Sequence, residues 1–151
     1  MIRAVLVLML LAAPAMAAPG TELASQAVPM EPFNGAFVVP VVLNGVITEK
    51  FIVDSGSADV SIPVEVASRL KALGALKGSD LLGSKIYMLA DGSRVSSEIY
   101  RISSITIGHT VVHDVTVRIS AERSHLLLGQ SFLSRLKSWS MDNARGVLAF
   151  N

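Results

Sequence analysis

The aspartate at position 54 is the residue whose neighbours point most directly to chemistry. It follows the apolar residues 51–53 (Phe-Ile-Val) and precedes Ser55, Gly56 and Ser57. A carboxylate at the end of an apolar strand is costly to bury without partners. The serine supplies a hydroxyl donor, and the glycine lets the backbone turn sharply. The tripeptide Asp-Ser-Gly alone favours an ordinary Asx-type turn at a strand end, so any catalytic role for this carboxylate depends on its wider context.

Two other constellations fit chemistry less well. His109 and His113 have the i, i+4 spacing of helical zinc ligands, but their neighbours are β-like, and on a strand they would lie about 13 Å apart. The segment from Gly129 through Ser131 begins like a nucleophile elbow, yet Leu133 stands where that motif needs its closing glycine. The sequence therefore predicts no metal site, no cofactor and no serine nucleophile.

The elements before and after Asp54 are predicted from turn signals and apolar periodicity. Residues 37–43 and 46–53 form a hairpin around Asn44 and Gly45, a pair suited to a type I′ turn, and its second strand runs directly into Asp54. Residues 63–74 combine an initial proline, apolar residues three to four apart and a final glycine, a pattern that predicts a short helix.

The rest of the chain is predicted to be β-rich. A second hairpin joins residues 86–89 to 95–102 through Ala90, Asp91 and Gly92, and a third joins 105–107 to 111–119. The apolar residues Leu127 and Leu128 then precede Gly129, a predicted helix over residues 130–136 and a terminal strand over 147–150.

Three of these features together resemble the retropepsin-like aspartic proteases. Residues 52–57 (Ile-Val-Asp-Ser-Gly-Ser) match at every position the active-site signature of that family, two apolar residues followed by Asp, Thr or Ser, Gly, and Ala or Ser. The run Leu127, Leu128 and Gly129 before a short helix is similar to the family's second signature. The hairpin with Ala90, Asp91 and Gly92 at its tip lies between the two, where the family has its substrate-covering flap.

The resemblance implies a mostly β fold, a closed barrel or acid-protease half-domain with one or two short helices, active as a homodimer. It makes Asp54 the catalytic carboxylate, Ser55 a brace across the dimer axis and Gly56 a source of backbone contacts to substrate. Ser57 could donate a hydrogen bond to Asp54 and favour its ionised form, which leads us to expect an acidic activity optimum. Ala90, Asp91 and Gly92 would form the flap, and Leu127, Leu128 and Gly129 a structural motif.

One departure from the viral members is visible in the second signature. There the glycine is usually followed by Arg and then Asn or Asp, whereas Gln130 and Ser131 follow here. The segment from Gln130 to Trp139 is closer to the bacterial single-domain branch of the family.

The same resemblance implies a homodimer that cleaves peptide or protein substrates. Aspartic proteases need two carboxylates about 3 Å apart that share one proton, and this chain contains one Asp-Ser-Gly. A C2 dimer would bring two copies of Asp54 to the axis. The expected function is an aspartic endopeptidase. The alternative is a catalytically silent dimeric module that binds peptides or assembles with the same fold.

The first residues predict export. Arg3, an apolar run over residues 4–13, Pro14 and Ala15-Met16-Ala17 form the pattern of a signal peptide over residues 1–17; an uncleaved anchor is the alternative. A flexible linker is predicted over residues 18–32 and the protease domain over 33–151, in a periplasmic setting. Without Arg3 the chain has 12 basic and 12 acidic residues, so no nucleic-acid or, after cleavage, membrane partner is expected. The chain contains no cysteine, so disulfides cannot contribute to its stability.

Overall fold

The computed structural model describes residues 26–151. The predicted signal peptide, and the predicted linker up to residue 25, lie outside the described residues. The helices are α1 (Val64–Ala72) and α2 (Gln130–Leu133), with one 3₁₀ turn at Gly78–Asp80. The strands are β1 (Gln26–Pro29), β2 (Glu31–Phe33), β3 (Ala36–Leu43), β4 (Ile47–Val53), β5 (Val60–Pro63), β6 (Leu81–Met88), β7 (Arg94–Ile107), β8 (Thr110–Ser120), β9 (Leu127–Leu128), β10 (Trp139–Asp142) and β11 (Val147–Phe150).

Most of these strands form one sheet that closes on itself. Its order is β2-β3-β4-β9-β5-β8-β7-β6, and β3 also pairs with β7 through Val42 opposite Thr106 and Leu43 opposite Ile105. The strands β3, β4, β9, β5, β8 and β7 therefore make a barrel, while β2 and β6 extend beyond it. The predicted fold class, a mostly β closed barrel with two short helices, is confirmed.

The barrel interior is filled by alternating side chains of its strands. In β4, Ile47, Phe51 and Val53 are buried, whereas Thr48 and Lys50, between them, are exposed. This period of two is what a strand with one face on the core requires. Helix α1 covers the core with Val66, Ala67 and Leu70, and α2 adds the buried Phe132 and Leu133. The strand that leads to Asp54 is thus fixed by packing as well as by hydrogen bonds.

The predicted linker is wrong for residues 26–32, because β1 and β2 occupy them. β1 pairs with β11, from Gln26 opposite Phe150 to Pro29 opposite Val147, and buries Val28. Both new strands lie at sheet edges, where a proline without an N–H is tolerated because no ladder bond is lost. Pro29 and Pro32 therefore belong to edge strands.

Three other elements differ from their predicted bounds. β7 is a single strand of 14 residues that serves both the second and the third hairpin. β10 was not predicted. Helix α2 ends at Leu133 rather than at residue 136 because the following amides, those of Arg135 and Leu136, bond three residues back, which tightens the last turn.

The turn between β3 and β4 has the predicted Asn-Gly geometry and an additional role. Asn44 and Gly45 have φ values of 48° and 69°, as a type I′ turn requires; Val46 belongs to the turn rather than to the strand. The Asn44 side chain donates from Nδ2 to the carbonyl of Ala75 (2.6 Å) and accepts at Oδ1 from the amide of Ser104 (2.9 Å). Asn44 thus joins three segments of the chain.

We expect Asn44→Ala to lower the free energy of unfolding by about 3 kcal/mol, because it leaves two backbone groups without their partner and puts alanine in the left-handed region. Asn34→Ala is the matched control, since Asn34 has a similar φ of 47° and no side-chain hydrogen bond within residues 26–151. It should cost about 1 kcal/mol. Urea unfolding followed by Trp139 fluorescence measures both, and equal losses would show that the Asn44 side chain contributes nothing.

Candidate active site

The position of Asp54 is set by a parallel pairing at the end of β4. Ile52 lies opposite Leu127 and Val53 opposite Leu128, and the Asp54 amide continues this ladder by donating to the carbonyl of Leu128 (3.1 Å). Asp54 is therefore the first residue to leave the sheet, with its backbone fixed and its side chain partly exposed. The two sequence motifs are 75 positions apart in the chain, counted from Ile52 to Leu127, and they meet here as the neighbouring strands β4 and β9.

The loop after Asp54 folds back on the carboxylate. The amide of Gly56 donates to Asp54 Oδ1 (2.9 Å), and the amide of Ser57 donates to the Asp54 carbonyl (3.3 Å). A Cβ on Gly56 would lie 3.3 Å from Asp54 Oδ1, so a side chain would crowd the group that it has to orient. Ser55 and Gly56 are exposed in the single chain. The arrangement presents one carboxylate oriented by a backbone amide.

The expected hydrogen bond from Ser57 to Asp54 is not formed. The Ser57 hydroxyl instead donates to the backbone carbonyl of Asp59 (2.8 Å). This hydrogen bond lies within the loop and stabilises the turn that leads from Asp54 to β5. Ser57 supports the loop around Asp54 rather than the carboxylate itself.

Gly129 marks the closest approach between the two motifs. A Cβ built on it would lie 2.4 Å from the carbonyl oxygen of Asp59 and 2.8 Å from that of Ser57. Both contacts are with backbone atoms, which cannot move aside as a flexible side chain could. Glycine is needed here because another segment of backbone occupies the space of a side chain. Leu128 is fully buried beneath this contact, and Leu127 reaches the surface next to Asp54.

Gln130 and Ser131, the departure from the viral pattern, both bind the segment that follows Asp54. The Gln130 side chain donates from Nε2 to the carbonyl of Ser55 (2.9 Å). The backbone amide of Gln130 donates to the carbonyl of Ser57 (2.8 Å). The Ser131 hydroxyl accepts from the Val60 amide (2.8 Å) and donates to the Thr116 carbonyl (2.7 Å). The two residues supply polar contacts that tie the Asp54 loop to α2 and to β8.

We expect Ser131→Ala to cost about 2 kcal/mol of unfolding free energy, because it leaves the Val60 amide and the Thr116 carbonyl without a side-chain partner. Ser134→Ala is the control. Its hydroxyl bonds only to the carbonyl of Gln130, four residues earlier on an exposed face, and its removal should change stability by less than about 0.5 kcal/mol. Chemical denaturation gives both values, and a Ser131 effect no larger than that of Ser134 would contradict the bracing role.

A cleft of about 590 Å³ opens beside Asp54. The loop forms one side through Asp54, Gly56, Ser57 and Ala58, and the first arm of the second hairpin forms the other side with residues 85–90; Arg118 and Leu127 complete the lining. Exposed apolar side chains on that arm, Ile86 and Met88, are 68% and 70% accessible. The hairpin therefore covers the cleft as a flap would, with apolar side chains and no core beneath them.

The tip of this hairpin differs in detail from a type I′ turn. Gly92 has a φ of 82°, whereas Asp91 does not adopt the left-handed region. The Gly92 amide donates to the Leu89 carbonyl, and the Leu89 amide donates to that of Ser93. Asp91 accepts bonds from the Ser93 hydroxyl and amide, which lowers the pKa of the Asp91 carboxyl. Of the predicted flap residues, Ala90 lines the cleft, while Asp91 and Gly92 shape the tip.

Sequence reasoning assigned no site role to Asp59, Lys85, Tyr87 and Arg118, of which the last three line the cleft. Asp59 is only 8% exposed, and its Oδ2 accepts bonds from the Tyr87 hydroxyl (2.5 Å) and from Lys85 Nζ (3.1 Å). Burial, and next the bond to Asp59, raise the pKa of Tyr87, so the phenol stays protonated and donates. Arg118 stacks on the same ring, with its Cζ 4.8 Å from the centroid. The only sequence signals for this group of residues were an acidic residue five positions after Asp54 and polar residues at alternate positions of β6.

The two histidines do not lie in a metal-binding cluster. His113 contacts the Ser103 carbonyl through Nδ1 (3.3 Å), and His109 is exposed beside the β7–β8 turn. Across residues 26–151, no group of three or more His, Cys, Asp or Glu side chains converges on a common point.

No helix within residues 26–151 is long and apolar enough to cross a membrane.

Comparison with known proteins gives the family. The family model described as "gag-polyprotein putative aspartyl protease" matches residues 39–135, well over half of the chain. Among solved structures 127 chains are similar. One is the crystal structure of a retropepsin-like aspartic protease from Rickettsia conorii, with a TM-score of 0.63 and 23% identity over 84% of this chain and 89% of that one. No curated protein matches the chain. With both signatures paired as β4 and β9 beside a flap-covered cleft, the chain belongs to the retropepsin-like aspartic proteases.

Proposed function

We propose that this protein is an aspartic endopeptidase that acts as a homodimer, with Asp54 of each chain supplying one half of the active site. The observation that carries the proposal is the position of Asp54. It lies at the end of the β4–β9 ladder, oriented by the Gly56 amide, and it opens onto a cleft of about 590 Å³ under an apolar hairpin. Family membership supports the same chemistry.

The proposed reaction needs two carboxylates that share one proton, since two ionised carboxylates at about 3 Å repel one another. The ionised Asp54 accepts a proton from a water molecule while the water oxygen forms a bond to the scissile carbonyl carbon. The protonated Asp54 of the other chain donates its proton to the carbonyl oxygen. Transfer of a proton to the amide nitrogen then accompanies cleavage of the C–N bond and releases two peptides.

Among the residues that line the cleft in the described part of the chain, Asp54 is the only acidic one. Asp59 is the nearest in sequence, but its Oδ2 is occupied by Tyr87 and Lys85 and its side chain is buried. Asp91 is bound to Ser93 at the flap tip, and Asp142 pairs with Arg145 on β10. The exposed Ser55 and Gly56 beside Asp54 leave a surface for a second copy. A C2 dimer supplies the missing group from an identical chain.

The proposed substrate is an extended segment of peptide or protein. β6 is the edge strand of its sheet, so one side of its backbone is available for pairing with an added strand. Ile86, Met88 and Leu89 line the cleft from this strand and its continuation, and they suit apolar side chains of the peptide. Backbone pairing would give affinity, and the side-chain positions would give selectivity.

Mixing wild-type and Asp54→Asn chains tests the two-chain site directly. Adding an equal amount of variant to a fixed amount of wild type should reduce cleavage of a peptide library to about half, because only about a quarter of the dimers then carry two copies of Asp54. The variant alone should be slower by a factor of about a thousand or more. An equal amount of an unrelated protein is the control.

The assay is run from about pH 3 to about pH 8, with optimum activity expected on the acidic side because one carboxylate must be protonated. Activity unchanged by added variant would contradict the shared site. Activity that survives in pure Asp54→Asn protein would contradict the role of this carboxylate altogether. A folded dimer that cleaves nothing across the pH range would instead support the catalytically silent binding module.

Export to the periplasm is part of the same proposal and is supported by the sequence of residues 1–17. A charged start, a short apolar run and Ala15-Met16-Ala17 match a secretory signal. Expression of the full chain in a bacterium with cell fractionation should give a periplasmic protein whose first residue is Ala18. N-terminal sequencing decides the point, and a membrane-bound protein that still begins at the initiator methionine would support the uncleaved anchor.

A further inference from the structure

Arg118 occupies a fixed position in the wall of the cleft. It lies near the C-terminal end of β8, opposite Ile99 of β7 and beside Ser61 of β5. Its Nε donates to the hydroxyl of Ser61, which is fully buried, over 3.2 Å. Its guanidinium group stacks on the ring of Tyr87, and Tyr87 is itself bonded to Asp59. The side chain is thus held by the barrel on one side and by the flap arm on the other.

The charge of Arg118 is not neutralised within residues 26–151. The ion pairs in this range join Lys50 with Glu31, Arg69 with Glu49, Lys85 with Asp59 and Arg145 with Asp142. Tyr87, the aromatic neighbour of Arg118, is kept protonated and brings no negative charge. Two cations, Lys85 and Arg118, therefore line the cleft, and the Asp59 carboxylate is already paired with Lys85.

The outer nitrogens of Arg118 are accessible. Within the described residues every buried side-chain nitrogen and oxygen has a hydrogen-bond partner, whereas only Nε of Arg118 forms a bond there. Its Nη1 and Nη2 atoms are consequently not fully buried, and Arg118 is one of the residues that line the cleft. Two parallel N–H donors in a plane are suited to the two oxygens of a carboxylate.

We infer that Arg118 is a specificity-determining residue that binds the carboxylate of an Asp or Glu side chain in the peptide substrate. The inference rests on the proposed peptidase function and narrows its substrate class. Because Ser61 and Tyr87 already hold the guanidinium, little conformational freedom remains to be lost on binding. Ile86, Met88 and Leu127 line the same cleft, and apolar surroundings strengthen a charge-assisted hydrogen bond. An acidic side chain at one position next to the scissile bond is therefore favoured over a neutral one.

The test uses peptides that differ only by Glu or Gln at each position around the cleavage site. Wild-type protein should cleave one Glu peptide about tenfold faster than its Gln partner, measured as kcat/KM. Arg118→Gln should reduce the ratio of the two kcat/KM values from about ten to about one, and this ratio is compared within one protein, whatever its overall rate. Arg101→Gln removes the same charge from an exposed position on β7 and should keep the full preference. Arg118→Lys retains the charge without the fork and should keep part of it.

The same peptides, labelled for fluorescence anisotropy, are then bound to the Asp54→Asn protein, with and without Arg118→Gln, so that recognition is measured without turnover. If the wild-type protein cleaves no peptide but the Asp54→Asn protein binds Glu peptides selectively and through Arg118, the inference is upheld while the peptidase proposal fails. Cleavage or binding without a Glu preference at any position would overturn the inference, as would a preference that Arg118→Gln retains. Failure to bind any peptide counts against it too. Circular dichroism checks the fold of each variant, and Arg118→Lys serves if Arg118→Gln is unfolded.

Discussion

The approach of Gly129 to the backbone of the Asp54 loop is the constraint on which the site depends. No side chain fits between Gly129 and the carbonyls of Ser57 and Asp59, so the two motifs meet backbone to backbone. That approach lets Gln130 and Ser131 bond to the loop directly, and it places Leu128 in the ladder that holds Asp54. Because the contact lies between segments far apart in sequence, it forms only when the barrel closes. The Asp54 carboxylate is therefore oriented only when the barrel closes.

Much of this site was predictable because its signals are local. Asp54-Ser55-Gly56 after an apolar strand, and Leu127-Leu128-Gly129 before a helix, each require particular residue types at fixed positions. The Asn44-Gly45 turn was predictable for the same reason, since few other pairs adopt positive φ at both positions. These residues are constrained by their own backbone, which sequence patterns report well.

The remaining features were not predictable because they arise from tertiary contacts. β1 and β2 have weak patterns of their own and exist because β11 and β3 offer them partners. Ser57 was expected to donate a hydrogen bond to Asp54, but its hydroxyl donates to the carbonyl of Asp59 instead. The cluster of Asp59, Lys85, Tyr87 and Arg118 draws on two strands, β6 and β8, and on the loop after Asp54, and no single window of sequence contains it.

The long strand β7 gives the flap an uneven construction. Its 14 residues contain neither glycine nor proline and run without interruption from the flap into the barrel wall. The other arm, β6, has a shift in register between Leu81 and Gly83, and Gly83 has a φ of 128°. One arm of the hairpin, β7, is therefore a continuous strand that extends into the barrel wall. The other arm, β6, has an irregular backbone at its base. If this hairpin moves to admit a substrate, we expect the change in backbone to fall at Gly83 of β6 and not within β7, so that the two arms move unequally.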